Sequence, residues 1–220
     1  MSRNFEASNN DHLDAGNPPA LDLAGDKVTL SAWIRLESTA NEGKILAKWA
    51  DSGSRFQYLL STDGGDRCLF AIFNGGTKIV TGTTVLAVGV WFHVAGVYDG
   101  SDLRVYCNGL EEATTSATGN MPSTTAPVRI GAGSGGSGSE DPFDGDIGHC
   151  AIWDDGLSAD GVKSLSVGIN PLAIRRDSLQ AYWPLNGQSP ELDVTLNQNM
   201  TVTGAIVAEE PPIPNSIVAP

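Results

Sequence analysis

Four carboxylates crowd one short stretch of this chain: Glu140, Asp141, Asp144 and Asp146. Clustered carboxylates on a loop suit calcium, a hard cation that takes several oxygens in adaptable geometry. Asp144 and Asp146, joined by Asp22 from earlier in the chain, are the expected calcium donors. Their other use is as solvated turn residues. Just upstream, Gly131-x-Gly133-x-x-Gly136 has the form of a dinucleotide fingerprint. That motif works only where a strand leads into a helix whose N-terminus meets the phosphates. Ser137 to Pro142 has no helical pattern, so the stretch reads as a Gly/Ser-rich surface loop.

The histidines do not assemble into a local zinc pair, since none has a close second His. His93 sits in an apolar strand pattern and is expected to be a satisfied core residue. His149 is expected on the same strand face as Ile147 and Ala151. His12 lies in a polar stretch near the start. Cys68, Cys107 and Cys150 are odd in number and lack metal spacing. Each lies in an apolar strand pattern and reads as a small buried hydrophobe, compatible with a reducing compartment. One disulfide with a spare thiol is the alternative. Trp33, Trp49, Trp91, Trp153 and Trp183 could stack on sugar rings. Trp49, at a strand end beside Lys48 and Asp51, is the one least committed to a core and is the candidate ligand-binding residue for glycan stacking.

These residues must be positioned by strands. The densest specification is Trp91 to Leu110, WFHVAGVYDGSDLRVYCNGL. Trp91, His93, Ala95 and Val97 alternate with Phe92, Val94, Gly96 and Tyr98, the period of a strand. Asp99-Gly100 supplies a turn. Leu103, Val105 and Cys107 then form an inner face, with Arg104 and Tyr106 on the other side. Asn108-Gly109 is a strong hairpin signal. Further strands are expected at Val28 to Leu36, Lys44 to Trp49, Phe56 to Leu60, Cys68 to Asn74, Thr77 to Thr83, Glu111 to Ser116, Val128 to Gly131, Ile147 to Trp153 and Leu179 to Leu185. Pro184 places the last near an edge. Strands at this spacing build an antiparallel sandwich. One short helix is expected after Ser158, with Val162 and Leu165 on its apolar face and Gly168 at its end.

Trp91, His93-Val94-Ala95, Tyr98-Asp99-Gly100, Tyr106 and Asn108-Gly109 resemble the central hairpin of laminin-G-like and pentraxin-like jelly rolls, within the concanavalin-type sandwich superfamily. FDGDIGHCAIWDDGLS, residues 143 to 158, is similar to a late strand of those domains, and VTLSAWIRL, from Val28, to an early one. The match runs from about Ala20 to Asn186. It implies an all-β, two-sheet antiparallel jelly roll. It implies little about function, because the fold hosts lectins, enzymes, adhesion modules and virus proteins. Where pentraxin-like relatives carry calcium ligands, this chain has Gly131, Ala132 and Gly133. Where many laminin-G-like relatives read Ile-Asp-Glu, it has Ile147-Gly148-His149. The pentraxin disulfide position is Ala95. Glycosidases of the superfamily alternate carboxylates along one strand. No strand here has that pattern, so no enzyme is expected.

Outside the jelly roll, assigned to residues 20–205, two arms are expected. Residues 1–19 are polar and read as an extended N-terminal arm. Residues 206–220 contain Glu209-Glu210-Pro211-Pro212-Ile213-Pro214 and read as a proline-rich C-terminal arm. The 26 acids against 13 bases, net −13, argue against nucleic acid or anionic membrane as partner. There is no run of about 18 apolar residues for membrane insertion and no secretory h-region at the start. Domains of this type without a signal resemble accessory proteins of phage particles. The leading expectation is therefore a structural component of a virion surface, a capsid decoration or tail-associated protein assembled in the host cytoplasm. Its partners would be protein neighbours in an oligomer or particle, reached through the arms. The alternative is a free-standing carbohydrate-binding adhesion module for cell-surface glycans, with or without calcium.

Overall fold

The computed structural model describes residues 1–40, 42–50, 55–135, 138–195 and 198–213. Two sheets face one another. The first runs in the order Leu110–Ser116, Asp102–Cys107, Trp91–Tyr98, Val28–Leu36, Gly145–Trp153, Ser2–Phe5, Ile206–Ala208. Leu179–Trp183 also pairs with Gly145–Trp153, as an edge. The second runs Thr201–Thr203, His12–Asp14, Val128–Ile130, Lys44–Ala50, Arg55–Thr62, Arg67–Phe73, Thr77–Val85. Its ladder pairings are antiparallel, apart from one parallel bridge, Ser134 to Ala50. The expected jelly roll is therefore the observed one.

The central hairpin forms as the alternation requires. Trp91–Tyr98 pairs with Asp102–Cys107, which pairs in turn with Leu110–Ser116. Asn108 and Gly109 both have positive φ, 48° and 77°, the requirement of the tight hairpin turn. Val94, Tyr98, Leu103, Val105 and Cys107 enter the core between the sheets. Ala95, Val97 and Tyr106 face the other way. Gly96 sets the distance between the sheets: a Cβ there would lie 2.2 Å from the ring of Phe70 on the facing sheet.

The outer face of the first sheet is covered by the one α-helix among the described residues, Ala159–Ser166. Ser158 caps it by accepting from Gly161 N at 3.2 Å, and Val162 and Leu165 are buried beneath it. The three cysteines are free and buried, as small hydrophobes would be. The Gly/Ser stretch forms a small hairpin, Gly133–Gly135 with Gly138–Glu140, so no helix follows the glycines. Gly136 and Ser137 lie outside the described residues.

Over their described residues, the segments expected as arms pair with the sandwich. Ser2–Phe5 lies inside the first sheet, between Gly145–Trp153 and Ile206–Ala208. His12–Asp14 lies inside the second, between Val128–Ile130 and Thr201–Thr203. Phe5 and Leu13 are fully buried in the core. The polarity of Ser2, Arg3 and Asn4 misleads because their partners are distant in sequence. Arg3 bonds Glu191 and the Ala205 carbonyl, and Asn4 bonds Glu37 and Asp146. Buried polar groups survive when paired. At the other end, Ile206–Ala208 pairs with Ser2–Phe5, and Pro211 is buried. Residues 214–220 of the expected C-terminal arm lie outside the described residues.

Candidate binding groove

The strands Lys44–Ala50, Arg55–Thr62 and Arg67–Phe73 are apolar on both faces. Tyr58, Leu60, Phe70 and Ile72 point into the core. Ala47, Trp49, Leu59 and Ala71 form a separate cluster on the outer face, joined by Phe56, Leu69 and Phe73. A strand pattern with apolar residues on both sides signals a covered or ligand-facing surface. The run Cys68 to Phe73 carries that signal in the sequence itself.

This outer face holds a groove of about 210 Å³. Its floor is Trp49, Leu59, Leu69, Ala71 and Ile79; its rim is Glu42, Lys44, Ser61, Thr62, Asp63, Thr77 and Asp141. The rim is fixed by its own bonds. Lys44 Nζ sits 2.8 Å from Asp141 Oδ2. The Asp63 carboxylate accepts from Arg67 Nη2 at 2.6 Å and Nε at 3.0 Å, and from the Gly65 and Arg67 backbone N–H groups. Burial pushes its pKa up, but these hydrogen bonds outweigh burial and hold it below the usual carboxylate value. It remains an ionised acceptor at neutral pH.

Trp49 lies in the groove floor, as a glycan contact would, but only 8 % of it is exposed. Its ring stacks on Phe56, with centroids 4.5 Å apart. It contributes part of a packed floor and not a free platform. The apolar floor around it went unread in the sequence.

Among the described residues the three expected calcium donors are not grouped as a metal site. Asp22 is bound by Ser123, by Gln57 Nε2 at 2.9 Å and by Thr124 N at 3.1 Å. Burial raises its pKa, and the bonds from Ser123, Thr124 and Gln57 bring it below normal. Asp146 is 1 % exposed, ion-paired to Arg35 at 2.6 Å and bonded by Asn4. Asp144 accepts from Ser38 and from Ala7 N. Each carboxylate is consumed by internal donors, which leaves no set of open oxygens for a hard cation. Among the described residues no group of three or more His, Cys, Asp or Glu side chains is arranged to hold a metal ion. Glu37, near Asp146 and Asp144, shows the cost of the crowding: burial first, then these neighbours and Glu6, raise its pKa.

His93 and His149 come together on the opposite side of the molecule, the outer face of the first sheet. The register of Gly145–Trp153 against Val28–Leu36 shifts between Gly148 and Ala151. This bulge reverses the alternation, so Ile147 faces the core while Ala151 faces out. His149 lies with Ala151 and not with Ile147, against the sequence expectation, because one extra residue turns the side chain.

A search of curated protein sequences gives no match. A sequence profile of laminin-G type, for the concanavalin A-like lectin/glucanases superfamily, matches residues 7–163. Among solved structures, a putative carbohydrate binding protein from Bacteroides ovatus superposes with a TM-score of 0.73 at 21 % identity, over 93 % of this chain. The chain spans 58 % of that protein's length. The heptameric SAP-like pentraxin of Limulus polyphemus gives 0.57 at 19 % identity, over 75 % of this chain and 81 % of the other. The CBM40 of the Ruminococcus gnavus IT-sialidase, bound to alpha2,3 sialyllactose, gives 0.58 at 15 % identity, over 70 % and 93 %. With the hairpin, the late strand and the sandwich all in place, the chain belongs to the concanavalin A-like lectin/glucanase superfamily.

Proposed function

We propose that this protein is a non-catalytic carbohydrate-binding module, and that the groove on the outer face of the second sheet takes a neutral saccharide. The observation that carries this reading is the groove itself, an apolar floor of Trp49, Leu59, Leu69 and Ala71 ringed by hydroxyl and carboxylate side chains. Such a surface suits a sugar, whose ring has apolar C–H faces and a rim of hydroxyls; ligand sites in general pair apolar walls with a few placed polar groups. The rim carries Glu42, Asp63 and Asp141 against Lys44 and the Arg67 that pairs with Asp63, and the chain has a net charge of −13. Acidic sugars are disfavoured on such a rim. Several structural neighbours carry carbohydrate-binding names or ligands, which supports the reading by analogy of fold.

A virion role drew part of its support from extended arms that reach neighbours. Residues 1–19 and 206–213 are tied into the sandwich, so that support falls away.

The test is a glycan array probed with the whole chain, with and without EDTA, alongside Ile79→Arg. Ile79 is 51 % exposed at the groove, so the substitution blocks it without entering the core. Neutral glycans are expected to bind, equally in EDTA, and to lose at least tenfold in the variant. An array without any binder, or binding indifferent to Ile79→Arg, contradicts the assignment.

A further inference from the structure

The outer face of the first sheet contains a second, smaller cavity, of about 30 Å³, on the far side of the sandwich from the groove. Ser31, Trp33, His93, His149 and Tyr182 rise from the sheet into it. Leu165 of the helix and the following segment, with Ile169 and Pro171, close it from above. Ile213, from the C-terminal segment, completes the wall.

Its polar chemistry is unfinished. His93 is 1 % exposed. Its Nε2 meets Ser31 Oγ at 2.9 Å, and its Nδ1 has no hydrogen-bond partner among the described residues. His149 Nδ1 meets the Tyr182 hydroxyl at 2.7 Å, and its Nε2 likewise has no partner among the described residues. A buried polar nitrogen left unpaired is destabilising, and two in one small cavity call for an occupant. His149 is held at φ +52° within the bulge. Bulges and left-handed non-glycine residues recur where a side chain is re-aimed for a purpose.

We propose that this cavity is a binding site for a small uncharged hydroxylic group, a simple alcohol or the hydroxymethyl arm of a polyol, whose oxygen meets the open imidazole nitrogens of His93 and His149. Three features choose this class. First, among the described residues the lining contains no carboxylate, ammonium or guanidinium group, so an ionic ligand would be buried without a counter-charge. The nearest charges, the Met1 amine and Glu210, are paired with each other at 3.3 Å. Second, both imidazoles are neutral at physiological pH: burial holds His93 at about 3 and His149 at about 4. A hydroxyl both donates and accepts, and each histidine can offer either role, because its Ser or Tyr partner can itself donate or accept. Third, one water needs roughly 10–15 Å³ of such space, so the volume fits a group of about two heavy atoms. The surrounding Trp33, Leu165, Ile169 and Pro171 suit its carbon end.

The experiment is a long-range ¹H–¹⁵N correlation of the imidazole nitrogens in the full chain, titrated with ethanol and with glycerol. Ile169 is 46 % exposed at the cavity, so Ile169→Trp narrows the entrance without disturbing the core. Saturable shifts at the ring nitrogens of His93 and His149 are expected, with half-saturation raised at least tenfold in Ile169→Trp. Sodium acetate and ethylammonium chloride are expected to produce none. Shifts that grow linearly without saturation, or an equal response to the charged probes, overturn the proposal. So does saturation of both imidazoles by micromolar zinc chloride, which would make the site a metal centre. A glycan array without binders would remove the groove assignment and leave this result standing.

Discussion

The guanidinium of Arg3 and the carboxylate of Glu191 meet at 2.7 Å inside the protein, with side chains 4 % and 0 % exposed. Arg3 also donates to the carbonyls of Ala205 and Gln188. Glu191 accepts from the backbone N–H groups of Asn186 and Gly187. One ion pair thus ties the N-terminal strand to the segment that follows the strand Leu179–Trp183. Removing either partner strands a buried charge, a loss of about 3–5 kcal/mol. Arg3→Ala and Glu191→Ala are each expected to lose that much in urea unfolding. Arg3→Met with Glu191→Leu is expected to lose less than either. Equal stability of the single variants and the parent would show that the N-terminal strand is dispensable.

The sheets approach as closely as they do because Gly96 lacks a Cβ. A Cβ there would press 2.2 Å from the Phe70 ring. Gly96→Ala is expected to cost about 1–3 kcal/mol from overpacking. Adding Phe70→Leu should recover part of the loss, since residues in contact do not behave additively. Thermal unfolding of the two single variants and the double variant reads the coupling, and strict additivity would contradict the contact.

How legible this was differs by element. The hairpin Trp91 to Leu110 was fully readable, because alternation and turn chemistry are local. Ser2–Phe5 was not: its strand is polar in sequence and depends on Glu191, Asp146 and Glu37, all far away. The calcium reading joined Asp144, Asp146 and Asp22 by residue type alone. Arg35, Ser38, Gln57 and Ser123 claim those oxygens, and nothing local announces them. Trp49 was singled out, yet its groove depends on outward residues from three further strands. The meeting of His93 and His149 depends on a bulge, which shifts the alternation without a sequence mark.

Acid should weaken this protein through its buried histidines. Burial lowers the pKa of His93 to about 3 in the folded chain. Burial and, secondarily, the N-terminal amine lower that of His149 to about 4, against the pull of Glu210. Above about pH 6.5 both states are neutral, and the stability is complete. As pH falls from there, the unfolded chain takes up protons that the folded chain refuses, and stability drops by roughly 1.4 kcal/mol per pH unit for each histidine. The loss ends near pH 3 for His93 and pH 4 for His149. Denaturant unfolding from pH 7 to pH 4 on the parent and on His149→Phe should show a shallower slope in the variant. Identical slopes would mean that His149 titrates normally.

The central claim is that saccharide binds at the groove on the second sheet. Backbone amide and indole N–H shift mapping during titration with a neutral glycan tests it most directly. The expected result is a saturable set of shifts confined to Glu42 to Trp49, Leu59 to Asp63, Leu69 to Ala71, Thr77 to Ile79 and Asp141, including the Trp49 indole, and unchanged by EDTA. Shifts clustered instead on the helix Ala159–Ser166 or around Asp144 and Asp146, or a requirement for calcium, would contradict it.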